Sequence, residues 1–137
     1  MDLQNVRDGL ATRARTVSGL NALGYEPDDG EAPLFYPADV DIAPVTYGRA
    51  NGREKLVITC RVLVGAADDA AAQQLLSGYL KGSGSTSLRA AIEADKTLGG
   101  TCEDAQVVSR RGFLKVPLGS NQYLAAELVV EVIGLGD

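Results

Sequence analysis

Apolar residues at Leu3, Val6, Leu10, Ala14 and Val17 recur every three or four positions, with Gln4, Arg7, Asp8, Thr12 and Arg15 between them. This spacing predicts an amphipathic helix whose stripe packs on the rest of the domain. Asp2 can accept hydrogen bonds from the open N–H groups at its start, and Ser18-Gly19 supplies a stop. The stretch from Leu20 to Pro44 is less periodic. Pro27-Asp28-Asp29-Gly30 reads as a turn. Pro33, Pro37 and Pro44 confine any strand here to a short or edge position, because proline donates no ladder hydrogen bond. Short strands are expected near Leu34–Tyr36 and Val40–Ile42.

The pattern then changes period. From Lys55 to Val64, the residues Leu56, Ile58, Cys60, Val62 and Val64 fall on one side; Lys55, Val57, Thr59, Arg61 and Leu63 fall on the other. Strict alternation with β-branched enrichment predicts a strand with one face in the core. Asn51-Gly52 precedes it, and both residues tolerate the positive φ of a tight hairpin turn. Val45–Arg49 and Arg53–Val64 are therefore expected to be the two arms of a long hairpin, with Arg49, Arg53, Glu54 and Lys55 at its tip.

Next come two helices. Asp68 or Asp69 is expected to cap Ala70–Leu80, whose apolar side carries Ala72, Leu75, Leu76, Tyr79 and Leu80. Lys81-Gly-Ser-Gly-Ser breaks it. Ser85, Thr86 or Ser87 then caps a short helix that runs to about Asp95, before Gly99-Gly100. The chain closes in strands: Ala105–Arg111, a continuation at Phe113–Pro117, a turn at Gly119-Ser120-Asn121, and Tyr123–Ile133. In that last strand Leu124, Ala126, Leu128, Val130 and Val132 face inward, while Tyr123, Glu127, Val129 and Glu131 face out. Helix, weak strands, hairpin, two helices and two strands make one α+β domain, residues 1–137, mainly antiparallel, with three helices against the sheet.

Composition narrows the chemistry. The 137 residues include 13 Lys and Arg against 18 Asp and Glu, a net charge of −5, and no histidine. Without histidine there is no Ser-His or Cys-His pair and no His-ligated metal. A chain this long buries roughly two-thirds of its unfolded surface and needs no staple. Cys60 and Cys102 form no C-x-x-C, so they read as reduced thiols. Met1–Arg15 is broken by charges and lacks the apolar run of a signal peptide, and no stretch reaches the ~20 apolar residues of a membrane span. The reading is a protein folded in a cytoplasm.

The candidate motifs are weak. Gly82-Ser83-Gly84-Ser85 before a helix resembles a phosphate loop only superficially, since neither G-x-x-x-x-G-K-[ST] nor G-x-G-x-x-G is present. Asp28-Asp29, Asp68-Asp69, Glu103-Asp104 and the Asp39/Asp41 pair match no EF-hand, and sit where turns and helix starts explain them. No serine lies in G-x-S-x-G. The net negative charge disfavours gripping a duplex through its phosphates. No catalytic residue, cofactor or metal is expected. What remains is surface: the second faces of the long strands carry Val57, Leu63, Tyr123, Ala125 and Val129, which suits cover by a helix or by a neighbouring subunit.

The series Tyr47-Gly-Arg-Ala-Asn-Gly-Arg-Glu-Lys-Leu56, Val57-Ile-Thr-Cys-Arg-Val-Leu-Val-Gly65, Asp68-Asp-Ala-Ala-Ala-Gln-Gln-Leu-Leu-Ser-Gly-Tyr-Leu80, Gly84–Asp95, Thr97-Leu-Gly-Gly100 and the two closing strands resembles the tail terminator proteins of long-tailed bacteriophages, especially those of actinobacterial hosts. The resemblance spans nearly the whole chain, best from Tyr47 to Val132. It implies a structural virion protein, not an enzyme. Six copies would form a ring on the head-proximal end of the tail tube, end its polymerisation and offer a surface to a head-completion protein, with genomic DNA passing through unbound. Placing such an interface on this chain is our inference: the hairpin Tyr47–Lys55 is expected to dock on tube or neighbour through Tyr47, Arg49, Arg53 and Lys55, with Val57, Thr59, Arg61 and Leu63 as candidate contacts on the adjoining face. Other neck and tail proteins, a head–tail stopper or a tube subunit, share this general look, and a small acid-dependent or nucleotide-handling enzyme is the reading from a different class.

Overall fold

Asp2 begins the first helix as the spacing predicts: its Oδ1 accepts from the Asn5 N–H at 2.9 Å, and α1 runs Leu3–Ala14. The computed structural model describes residues 1–44, 52–66 and 70–135. Val6, Leu10, Ala11 and Ala14 bury the inner stripe of α1. After it come β1 (Asn21–Ala22), β2 (Leu34–Pro44), β3 (Arg53–Ala66), α2 (Ala70–Tyr79), α3 (Leu88–Glu93), β4 (Asp104–Leu118) and β5 (Asn121–Leu135). The strands form one five-stranded sheet in the order β1-β2-β3-β5-β4. Only the short β1–β2 pairing is parallel among the described strands. The result is an α+β domain, as the order of elements predicts.

The central strands follow the alternation. Leu56, Ile58, Cys60, Val62 and Val64 on β3, with Leu124, Ala126, Leu128, Val130 and Val132 on β5, form the inner face. Residues of all three helices pack on that face, including Leu10, Leu76, Tyr79, Leu88 and Ile92. Desolvation there pushes the Cys60 thiol up to about 12, so it behaves as a small hydrophobe. Burial also raises the Cys102 thiol.

Three expectations need correction. The two short strands near residues 34–36 and 40–42 are one continuous strand, β2, because a register shift between Pro37 and Asp39 absorbs the proline as a bulge. The arm paired with β3 is therefore β2, with Pro44 opposite Glu54. Val45–Arg49, expected as that arm, and Asn51 lie outside the described residues, as does the Asp68/Asp69 cap. Finally, Leu75 is exposed, because α2 meets the core only through Ala72, Leu76 and Tyr79. Of the three candidate caps for α3, Ser87 takes the role, accepting from Ala90 N–H at 3.1 Å.

One glycine is explained by contact. A Cβ added to Gly9 would lie 2.7 Å from the Leu98 carbonyl oxygen and 3.0 Å from Leu98 Cβ. That turn is fixed by Asp95, which accepts from the Thr97 hydroxyl and from the Thr97 and Gly99 N–H groups. These bonds hold the Asp95 carboxyl below its ordinary range. In an exposed helix interior Gly→Ala gains about 1 kcal/mol. Here the added methyl meets backbone, and overpacking of this kind costs roughly 1–3 kcal/mol. Gly9→Ala is therefore expected to lower the urea midpoint; a raised midpoint would show that α1 can retreat from Leu98 without cost.

Candidate functional site

The outer face of the sheet, opposite the helices, divides into a covered and an uncovered part. Leu34, Tyr36, Leu63, Leu118 and Ala125 form a second, smaller core there. Chain from Leu23 to Pro33 closes over it: Leu23 packs against that cluster, Glu26 Oε1 lies 3.7 Å from Arg61 Nη1, and Asp29 approaches Gly119. Leu63 is only 1% exposed. It offers nothing to a partner.

Arg61 marks the border. Its Nε donates to Glu127 Oε2 at 3.2 Å and it also bonds the Tyr36 side chain. Burial raises the Tyr36 phenol above its usual range, and the Arg61 bond opposes that only in part. Beyond Arg61, half-buried Thr59 and Val57 stand beside Val129 and Glu131 on β5. Lys55 Nζ sits 3.5 Å from Glu131 Oε1. This strip mixes aliphatic and paired charged groups across two central strands.

The end of the hairpin is different again. Arg53 lies opposite Leu135 and holds Glu103 in a two-pronged pair, Nε to Oε2 at 2.8 Å and Nη2 to Oε1 at 3.1 Å. The guanidinium lowers the Glu103 carboxyl below its ordinary range. That pairing adds stability at neutral pH and loses it as acid protonates Glu103. Leu135, beside Arg53 on the outer face, is 55% exposed, and Ile42, on the inner face of the same sheet end, is 57% exposed. Ile42 is level with Leu56 on the inner side, so the helices stop short of it. Two bare aliphatics and two cations thus share the sheet end from which residues 45–51 continue.

The structure brings Arg53, Lys55, Val57, Thr59 and Arg61 onto one face of β3, as the alternation predicts, and withdraws Leu63 into the second core. Tyr47 and Arg49 lie outside the described residues. Ile42 and Leu135 were not singled out in the sequence; the exposure of Ile42 depends on where the helices end and that of Leu135 on how far the Leu23–Pro33 chain reaches across the outer face, which no local pattern encodes. The Gly82–Ser85 connection is tied to its surroundings by Thr86 Oγ1 donating to the Gly78 carbonyl at 3.1 Å. Among the described residues no three His, Cys, Asp or Glu side chains converge as a metal site would require. No described helix is long and apolar enough to cross a membrane. A cleft of about 330 Å³ beside Leu20, Ala22 and Leu34 is bordered by Arg15, whose guanidinium is already bonded to the Ala22 carbonyl. Compared with protein-family models and with curated proteins, the chain has no match in either.

Proposed function

We propose that this protein is a structural virion component that assembles as a ring, six copies by the resemblance, on the head-proximal end of a phage tail tube and ends its growth. Its partners are further copies of itself, the tube protein and a head-completion protein, and genomic DNA passes through the ring. The hairpin end supports the reading most directly. At one end of the sheet Leu135 stands bare beside Arg53 on the outer face and Ile42 stands bare on the inner face, and solvent-exposed aliphatics gain by being covered. An end-on contact of that kind stacks a ring on a tube without using the core. The net charge of −5 suits a conduit that must not hold its cargo.

Adding the purified protein to polymerising tube subunits tests this. The expected outcome is tubes that stop at a length set by when the protein was added. Tubes of unchanged length would reject the role, and incorporation of the protein along the tube would point to a tube subunit.

A further inference from the structure

Among the described residues both long edges of the sheet are largely open, and their charges are opposite. The outer side of β2 is covered by β1 only at Leu34 and Phe35, and Arg7 donates to the Pro37 carbonyl. From Asp39 to Ala43 it is largely exposed. This strand carries Asp39 and Asp41 and no Lys or Arg. At the other edge, Glu93 Oε2 accepts from the Val107 N–H, so the uncovered stretch of β4 begins at Val108. From there to Leu118 the strand carries Arg110, Arg111 and Lys115 and no acid. Among the described residues neither acid of β2 and none of these three cations has an ion-pair partner. On β4, Val108 is 45% exposed and Phe113 is 54% exposed.

We infer that β4 of one copy docks along β2 of the next, with Arg111 meeting Asp39 and Asp41 on the outer face and Lys115 adding positive charge to the same edge, and that this is the contact that builds the ring. The pairing presupposes the ring proposed above and says which surfaces make it. Charge and direction both select the second copy as occupant. Two β4 edges brought together would set cations against cations, and two β2 edges would set acids against acids. Like-with-like pairing is therefore repelled, and only unlike edges attract. A contact between two different patches of the same chain is head-to-tail, which closes into a ring when the rotation allows.

Strand direction agrees. Three successive antiparallel pairings, β2 with β3, β3 with β5 and β5 with β4, leave β2 and β4 running in opposite senses. Rotation about an axis along the strands keeps each strand's sense. The next copy's β2 then lies antiparallel to β4, continuing the same ladder type. Asp39 and Asp41 are level with Thr59 and Val57, and Arg111 with Glu127, so these acids and Arg111 project on the same outer face, while Lys115, level with Leu124, lies on the inner side of that edge. The same axis directs the hairpin end toward a stacked tube.

Charge reversal of each edge tests the assignment. The variants are Asp39→Lys with Asp41→Lys, and Arg111→Glu with Lys115→Glu; Arg110 is spared because it holds the Leu80 carbonyl at 2.9 Å. All four positions are exposed, so thermal melts should stay close to wild type. Sedimentation and native mass spectrometry should show rings for the wild type and self-association at least tenfold weaker for each variant alone. An equimolar mixture should recover rings holding the two variants in equal number, because each basic edge then meets an acidic one. The milder Asp41→Asn and Arg111→Met changes should weaken assembly in the same direction, and they serve if a reversal variant fails to fold. Wild-type rings with variants that assemble equally well would overturn the edge pairing and leave the ring intact. A wild-type chain that never self-associates, concentrated or on tube ends, would overturn both.

Discussion

Val62→Asp is expected to abolish the cooperative fold. Val62 is fully buried at the centre of the sheet, between Phe35 on β2 and Ala126 on β5, beneath the helices. A carboxylate there has no partner and no water, and an isolated buried charge escapes only by taking up a proton. Even protonated, it loses the valine's packing and buries a polar group at a cost of several kcal/mol. Domains of this kind have only about 5–15 kcal/mol in total. Circular dichroism should show no cooperative melt near neutral pH. Thr59→Asp, three positions earlier on the opposite, half-exposed face, should still melt cooperatively. If Val62→Asp melts like wild type, the faces of β3 have been assigned the wrong way round.

Arg49→Glu combined with Arg53→Glu should leave the protomer folded and reduce attachment to tubes by roughly tenfold or more, since reversing charge at a contact sets like charges together. Arg53 is exposed, and its bond to Glu103 becomes a like-charge contact at the surface, where ion pairs contribute little to stability. The melt should therefore change slightly while tube binding, read by co-sedimentation, falls steeply. Full binding with an unchanged melt would remove the hairpin end from the tube contact.

Much of the fold is legible from local spacing, and the reason is physical. Leu56 to Val64 alternate because one side of β3 faces helices and the other does not, and Leu124 to Val132 on β5 repeat the rule. Asp2 and Ser87 cap helices through bonds to N–H groups three residues on, so the signal lies within a few residues. Long-range events are silent at that scale. Leu63 has the spacing of an outward residue, yet the Leu23–Pro33 chain folds over it. Pro37 suggests an interruption, but a bulge on a largely open edge lets β2 continue through it. The candidate surface was partly legible: Arg53 to Arg61 share a face as expected. The opposite charges of β2 and β4 acquire meaning only once the strand order makes them the two edges. Asp39 and Asp41 read locally as acids of a turn or helix start, yet both lie on strand β2, and nothing local says which strand lies beside them.

In the proposed role this small mixed domain stacks a closed assembly of its own copies on a tube end. Electron microscopy of purified tail tubes incubated with the protein tests it most directly. The prediction is a ring of extra density at one end of each tube, with end-on averages showing a closed cycle of protomers. Bare ends at saturating protein, or open filaments of the protein itself, would contradict it.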